Sequence, residues 1–143
     1  MNTLKVIEFI NEHPTNWREL LSEKPYSISA KDNTPYTILS YSQIHSDFKL
    51  EICRECRGLI IKKVGDTYEP VCVPFFKFGN YGEGYCPEID WESARIQEKV
   101  DGSICKMWFD EVSWHISTNN VIDAYKAQIY GSDLSFGQLF NKA

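Results

Sequence analysis

Glu98-Lys99-Val100-Asp101-Gly102-Ser103 is the stretch on which the reading of this chain turns. A lysine, one spacer and Asp-Gly form a pattern in which the amine can serve as a covalent nucleophile toward a nucleotide α-phosphate. Ile96 and Gln97 lead in as a short strand, and beyond the turn Ile104, Lys106 and Trp108 alternate with Cys105, Met107 and Phe109. The pattern predicts a hairpin with Lys99 at a strand end and Asp101-Gly102 in the tight turn, where glycine lets the backbone approach a ligand closely. Asp-Gly between two alternating segments is also an ordinary hairpin turn, and a lysine before it is usually a solvated edge residue. Residues upstream decide between the two.

At 143 residues the chain has the length of one domain, long enough to bury roughly two thirds of its unfolded surface. Hydrophobic content of 43% with 24% charged residues is ordinary for a globular protein. No apolar run approaches the roughly 20 residues of a membrane span, and Met1-Asn-Thr-Leu-Lys5 lacks the core of a signal peptide. Cytoplasm is therefore the expected location, with no membrane partner. A net charge of −5 argues against binding nucleic acid with the whole surface. Any phosphate site must be local.

Cys53, Cys56, Cys72, Cys86 and Cys105 make an odd count, which speaks against a disulfide framework. Cys53-Arg54-Glu55-Cys56 has the spacing of half a zinc site. The nearest further pair, Cys72 and Cys86, is widely spaced in apolar-aromatic surroundings, where cysteine acts as a small hydrophobe. Reduced, metal-free thiols are the expectation.

Leu4, Ile7 and Ile10, with Val6 and Phe9, have helical spacing that Pro14 ends. Asn16-Trp17-Arg18-Glu19 reads as a capping box opening a short helix that Pro25 stops. Tyr26, Ile28 and Ala30 then alternate as a strand, Lys31 to Pro35 is turn chemistry, and Tyr36 to Tyr41 is the return strand. A second hairpin follows, with Gly58 to Ile61 as a buried strand, Val64 to Thr67 as its turn and Tyr68 to Val73 as its partner. Arg57 stands just before it, and Lys77 lies soon after in Pro74-Phe-Phe-Lys77-Phe-Gly79-Asn80. Either cation alone reads as a sheet-edge residue. With Lys99 they suggest a compact anion site.

Three motifs now stand in order. Glu55-Cys56-Arg57-Gly58, Lys77-Phe78 with Asn80, and Lys99-Val-Asp-Gly-Ser103 resemble the N-terminal half of a phage ATP-dependent RNA ligase of the tRNA-repair type. That family belongs to the covalent nucleotidyltransferase superfamily, with DNA ligases and mRNA capping enzymes. Serine after Asp-Gly favours the RNA ligase type over capping enzymes, and the likeness runs from about Tyr41 to about Ala124. The resemblance implies that Lys99 attacks the ATP α-phosphate, expels pyrophosphate and becomes lysyl-AMP. It implies that Arg57 and Lys77 bind the nucleotide, that Tyr41 lies at the same pocket, and that Gly102 sits beside the adenylate.

A free lysine has a pKa of about 10.4, so fewer than roughly one in a thousand is nucleophilic at neutral pH. Arg57 and Lys77 nearby would lower that pKa and triphosphate would raise it, so a metal that neutralises phosphate sets the balance. Mg²⁺ is the expected ion beside ATP; its protein ligands are not identifiable from the sequence.

The chain also departs from the family. Gly79 stands where a second Phe is common, which removes part of an aromatic wall for adenine. Ser117-Thr118-Asn119-Asn120 stands where Ser-Thr-Lys or Arg-Gly is common. Asn119 thus removes a cation, while Asn120 can take a left-handed backbone in place of glycine; the same four residues also suit a strand end capping a helix near Val121. Ser135-Phe-Gly-Gln138 reads as a capping box opening a helix with Phe136, Leu139 and Phe140 as its apolar stripe. Nothing after Ala124 resembles the superfamily's later glutamate, acidic motif and paired lysines. The expectation is thus a truncated adenylyltransferase domain over residues 1–143.

The fold class expected is α+β: N-terminal helices and antiparallel β hairpins forming part of a nucleotidyltransferase (ATP-grasp-like ligase) fold, with a C-terminal helical segment. The expected function is an ATP-dependent RNA ligase joining 5′-phosphate and 3′-hydroxyl ends of RNA, tRNA included. This chain alone is expected to be inactive or only self-adenylylating, with a C-terminal region or second chain supplying the missing motifs. A non-catalytic nucleotide- or RNA-binding remnant, and a structural or partner-binding fragment, stay open.

Overall fold

Two runs of buried residues with no polar alternation, Tyr36 to Ser40 and Gly58 to Ile61, form the centre of the fold in a computed structural model that describes residues 3–143. Such runs mark strands covered on both faces. They belong to an antiparallel sheet of order β1-β2-β3-β4, with β1 at Ile28–Asn33, β2 at Tyr36–Tyr41, β3 at Arg57–Val64 and β4 at Thr67–Cys72. Leu39, Leu59 and Ile61 point to one face, where they meet Val6 and Ile10 of helix α1 (Lys5–Glu12) and Leu21 of α2 (Trp17–Ser22). Ile38 and Ile60 point to the other, where they meet Trp108 and Ile122. Trp108 lies on β5 (Lys106–Phe109), which among the described residues pairs only with β6 (Trp114–Ser117). The architecture is α+β, with helices, a four-stranded sheet and a two-stranded sheet stacked in that order.

The helix layer is tied to β3 by one carboxylate. Leu4 precedes α1 and offers no side-chain cap. Glu55, last residue of α3 (Glu51–Glu55), instead accepts the N–H of Lys5 on Oε1 at 2.9 Å and that of Val6 on Oε2 at 2.8 Å. Burial pushes the Glu55 carboxyl up, against the pull of these two N–H groups. The β5–β6 layer is tied to β2 by a second carboxylate. Asp110 Oδ2 accepts the Tyr36 hydroxyl at 2.7 Å and lies 2.7 Å from His115 Nε2, while Asp110 Oδ1 accepts the Ser113 N–H at 2.7 Å. The Ser113 N–H, with Tyr36 and His115, holds the Asp110 carboxyl well below the usual range, and burial pushes the Tyr36 hydroxyl up to about 12.

Several local expectations need correction. Ile96 and Gln97 form no strand, because the chain has left the four-stranded sheet and Ile96, almost wholly exposed, has no ladder to join. Lys99 therefore sits on an irregular segment, and Asp101-Gly102 is not a hairpin turn; the hairpin built on β5 closes through Asp110 to Ser113 instead. The first hairpin turn is shorter than Lys31 to Pro35. Lys31, Asp32 and Asn33 stay in register with Ile38, Thr37 and Tyr36, and Thr37 and Arg18 both donate to the Asp32 carboxylate. Asn16 makes no side-chain cap; its own N–H and that of Trp17 go to the His13 carbonyl. No helix starts near Val121; Asp123 caps a short 3-10 helix, Ala124–Lys126, through its bond from the Tyr125 N–H. Asn120 is not left-handed, a conformation that non-glycine residues adopt only at Ser27 and Glu111 among the described residues.

The capping box at Ser135 and Gln138 is formed and opens α4 (Phe136–Phe140). Its packing face differs from the expected stripe. Leu139 and Phe140 are exposed, and Gly137 is buried against the Tyr125 ring, where a Cβ would stand 2.7 Å from the nearest ring carbon. All five cysteines are free thiols; Cys53 and Cys56 belong to the helix-side core, and burial pushes the Cys53 thiol up to about 11. No described helix is long and apolar enough to cross a membrane.

Two outcomes test these ties. Glu55→Ala leaves two N–H groups, that of Val6 buried and that of Lys5 part-buried, without an acceptor and should cost about 2–4 kcal/mol in urea unfolding, with Glu55→Gln, which keeps one acceptor, costing less. Asp110→Asn should lower stability at neutral pH. Because the folded carboxyl titrates below its unfolded value, the stabilisation is complete above about pH 4 and is lost as the pH falls further, so the gap between the two proteins should close in acid. A gap that is constant from neutral to strongly acidic pH would show that the carboxylate charge plays no part.

Candidate functional site

Gly58 shapes the site. Leu39 pairs with Leu59 and Ser40 with Arg57, so Gly58 is the extra residue of a bulge in β3, with φ of +78°. A bulge of this kind bends the strand and re-aims the neighbouring side chain, and a left-handed glycine permits it without strain. No other residue fits. A Cβ at Gly58 would lie 2.8 Å from the Asn119 Cα and carbonyl oxygen and 2.5 Å from Lys106 Nζ. Ser40 Oγ donates to the Asn119 carbonyl at 2.6 Å and Lys106 Nζ donates to the Gly58 carbonyl, so β2, β3, β5 and the loop after β6 meet at this bulge.

Arg57 emerges beside the junction into a cavity of about 970 Å³. Its guanidinium carbon lies 4.7 Å from the Phe75 ring centroid and 5.0 Å from that of Phe78, whose rings stack 6.0 Å apart. Lys99, Gly102 and Asn119 line the same cavity. Lys99 is 72% exposed, and its ammonium pairs at 3.0 Å with the still more exposed Asp101. Such a pair is worth little in water and leaves the amine free to reorient.

The other expected site residues lie next door. Tyr41 lines a smaller cavity of about 240 Å³, which shares Arg57, Asn119 and Asn120 with the larger one. Its N–H is held by the Cys56 carbonyl at 2.9 Å, and its ring stands edge-on to Phe48 with centroids 5.0 Å apart. Lys77 Nζ lies 5.5 Å from the centre of the same Phe48 ring. Lys77 thus meets Tyr41 across Phe48 and does not line the cavity that Arg57 shares with Lys99. The structure brings Arg57, Lys99 and Gly102 together as one group, and Tyr41 and Lys77 as an adjoining one.

Two buried polar atoms at this place have no partner, the Nε of Arg57 and the Oδ1 of Asn119. Buried donors and acceptors are otherwise almost always satisfied. A ligand that answers both carries an acceptor and a donor as well as any anionic group.

Phe75 and Lys106 were not singled out from sequence. Lys106 carries a visible signal, since it shares the inward face of β5 with Trp108. Phe75 carries none, because an irregular segment has no period to follow. The glycine at 79 also has a cause: a Cβ there would lie 2.8 Å from both the Tyr85 ring and the Glu83 carboxylate. Phe75 and Phe78 supply an aromatic wall elsewhere.

Comparison with known proteins relates the chain to viral RNA ligases over part of their length. It is 28% identical over 131 residues to a protein of Autographa californica nuclear polyhedrosis virus named "Putative bifunctional polynucleotide kinase/RNA ligase", an alignment covering 82% of this chain and 18% of that protein. It is 31% identical over 91 residues to an RNA ligase of Rhodothermus phage RM378, covering 48% of this chain and 20% of that protein. The chain thus spans about a fifth of each relative. No family model and no solved structure matches it.

The bulge can be tested directly. Gly58→Ala forces a Cβ into the Asn119 backbone and a left-handed conformation onto alanine, so it should destabilise the fold by at least about 2 kcal/mol by chemical denaturation. A neutral result would mean that the junction at Gly58 is loose.

Proposed function

We propose that these residues form the nucleotide-binding and self-adenylylating part of an ATP-dependent RNA ligase. The observation that carries this reading is the convergence of Arg57 with Lys99 and Gly102, some forty residues further on, on one cavity with an aromatic wall. In this reading the Lys99 amine, after losing a proton to solvent, attacks the ATP α-phosphate. The P–N bond forms as the bond to the β-phosphate oxygen breaks, and pyrophosphate leaves. Arg57 binds the phosphates, fixed in direction by Phe75 and Phe78. Gly102 offers an approach free of side chain, and Tyr41 and Lys77 bind from the adjoining side. The adenylate would then pass to an RNA 5′-phosphate, and an RNA 3′-hydroxyl would displace AMP.

Mg²⁺ fits this site only with its substrate. Among the described residues no group of three or more His, Cys, Asp or Glu side chains could hold a metal ion. An ion bound mainly through phosphate oxygens and water needs no such group. Its chemistry would be to neutralise the triphosphate. The resemblance supports RNA ends, tRNA included, as the substrate, with further chain segments supplying the remaining groups.

A second reading, a nucleotide- or RNA-binding remnant, draws on the exposure of Lys99 and on Asn119 in place of a cation. Intact mass after incubation with ATP and Mg²⁺ separates the two. The ligase reading expects a gain of one adenylate that is absent in Lys99→Ala and formed at least about tenfold more slowly in Arg57→Ala. Binding of ATP without any mass gain would support the remnant.

A further inference from the structure

Lys106 is a buried cation without a counter-ion. It is 7% exposed, on the inward face of β5, and its ammonium donates to the Gly58 carbonyl. None of the ion pairs among the described residues includes it. Arg57, next to Gly58, is equally unneutralised, with its Nε unpartnered and its Nη1 only 3.5 Å from the Phe76 carbonyl oxygen. Burying an ammonium is costly unless a negative charge or several acceptors repay it. A buried ammonium and a half-buried guanidinium thus meet at one bulge without an ion-pair partner, while of the acids on the cavity wall, Glu98 and Asp101, Asp101 pairs with Lys99; a ligand anion at Arg57 would balance them.

We propose that Lys106 is a positioning residue of the site, its ammonium supplying positive charge from behind Gly58, with a phosphate held at Arg57 as its counter-ion. The inference rests on the reading of the cavity as a nucleotide site. Lys106 does not line the cavity itself. It acts by fixing the Gly58 carbonyl, its Nζ occupying the space that a Cβ at Gly58 would need, and by its field at the phosphate.

The charge on Lys106 is also poised to change. Burial pulls its amine down to about 8. The groups facing it are few: Arg57 lies on β3, burial raises the Cys72 thiol on β4, and Ser117 and Asn119 on the β6 side carry no charge. A phosphate bound nearby favours the ammonium form, so binding near pH 8 should draw in a proton.

Calorimetric titration of ATP into the Lys99→Ala chain, which cannot react, tests this in two buffers of different protonation enthalpy. Expected are proton uptake on binding near pH 8 and an affinity that falls about tenfold from pH 7 to about pH 9.5. Lys106→Met in the same background should bind ATP about tenfold more weakly at pH 7, with uptake and pH dependence abolished, while adenosine binding stays unchanged. Unchanged ATP affinity in Lys106→Met, or equal losses for ATP and adenosine, would overturn the inference. Should Lys106→Met fail to fold, absence of proton uptake in the Lys99→Ala chain overturns it. If ATP does not bind at any pH, the nucleotide-site reading itself fails; if it binds without these effects, only the role of Lys106 does.

Discussion

The buried carboxylate of Glu55 ties the two ends of the helix layer together. A helix whose N-cap is leucine has nothing local to answer its first N–H groups, and Glu55 answers two of them across some 50 residues of sequence. The same residue ends α3 one position before Cys56 and two before Arg57. Fixing the carboxylate on α1 therefore fixes where β3 begins, and so where the bulge at Gly58 turns Arg57 out. The partly desolvated anion is tolerated because it replaces a cap and a core contact at once.

Much of the frame is readable from periodicity. Tyr36 to Tyr41 and the strand through Gly58 to Ile61 are plain from their apolar runs, and Ser135 with Gln138 announces its cap. Failures cluster where local chemistry has two uses. Asp101-Gly102 has the composition of a hairpin turn, but a turn needs two strands, and Ile96 and Gln97 find no neighbour. Asn16 and Asn120 are good capping or left-handed residues that take neither role, and the first cap after β6 is made by Asp123.

The candidate site is legible in part as a grouping of residues, and for a definite reason. Motif order singles out Arg57, Lys99 and Gly102, which do share a cavity, but it carries no information on which wall each occupies. Lys77 shows the difference, since its ammonium turns to Phe48 beside Tyr41. Gly79 and Asn119 look like losses in sequence. In space Gly79 makes room for Tyr85, and Asn119 closes over a glycine that also admits a lysine amine.

The β5–β6 layer has a consequence for cooperativity. Two four-residue strands paired only with each other are not stable in isolation, so this layer persists by resting Trp108 and Ile122 on Ile38 and Ile60. The cavity draws Arg57 from the central sheet and Asn119 from the loop that follows this outer layer. Its two walls therefore belong to units expected to open with different free energies, and amides of β5 and β6 should exchange with solvent through a smaller opening than those of β2 and β3. Any ligand that spans both walls must slow that opening in proportion to its affinity. Occupancy of the cavity and docking of the outer layer are in this sense one equilibrium.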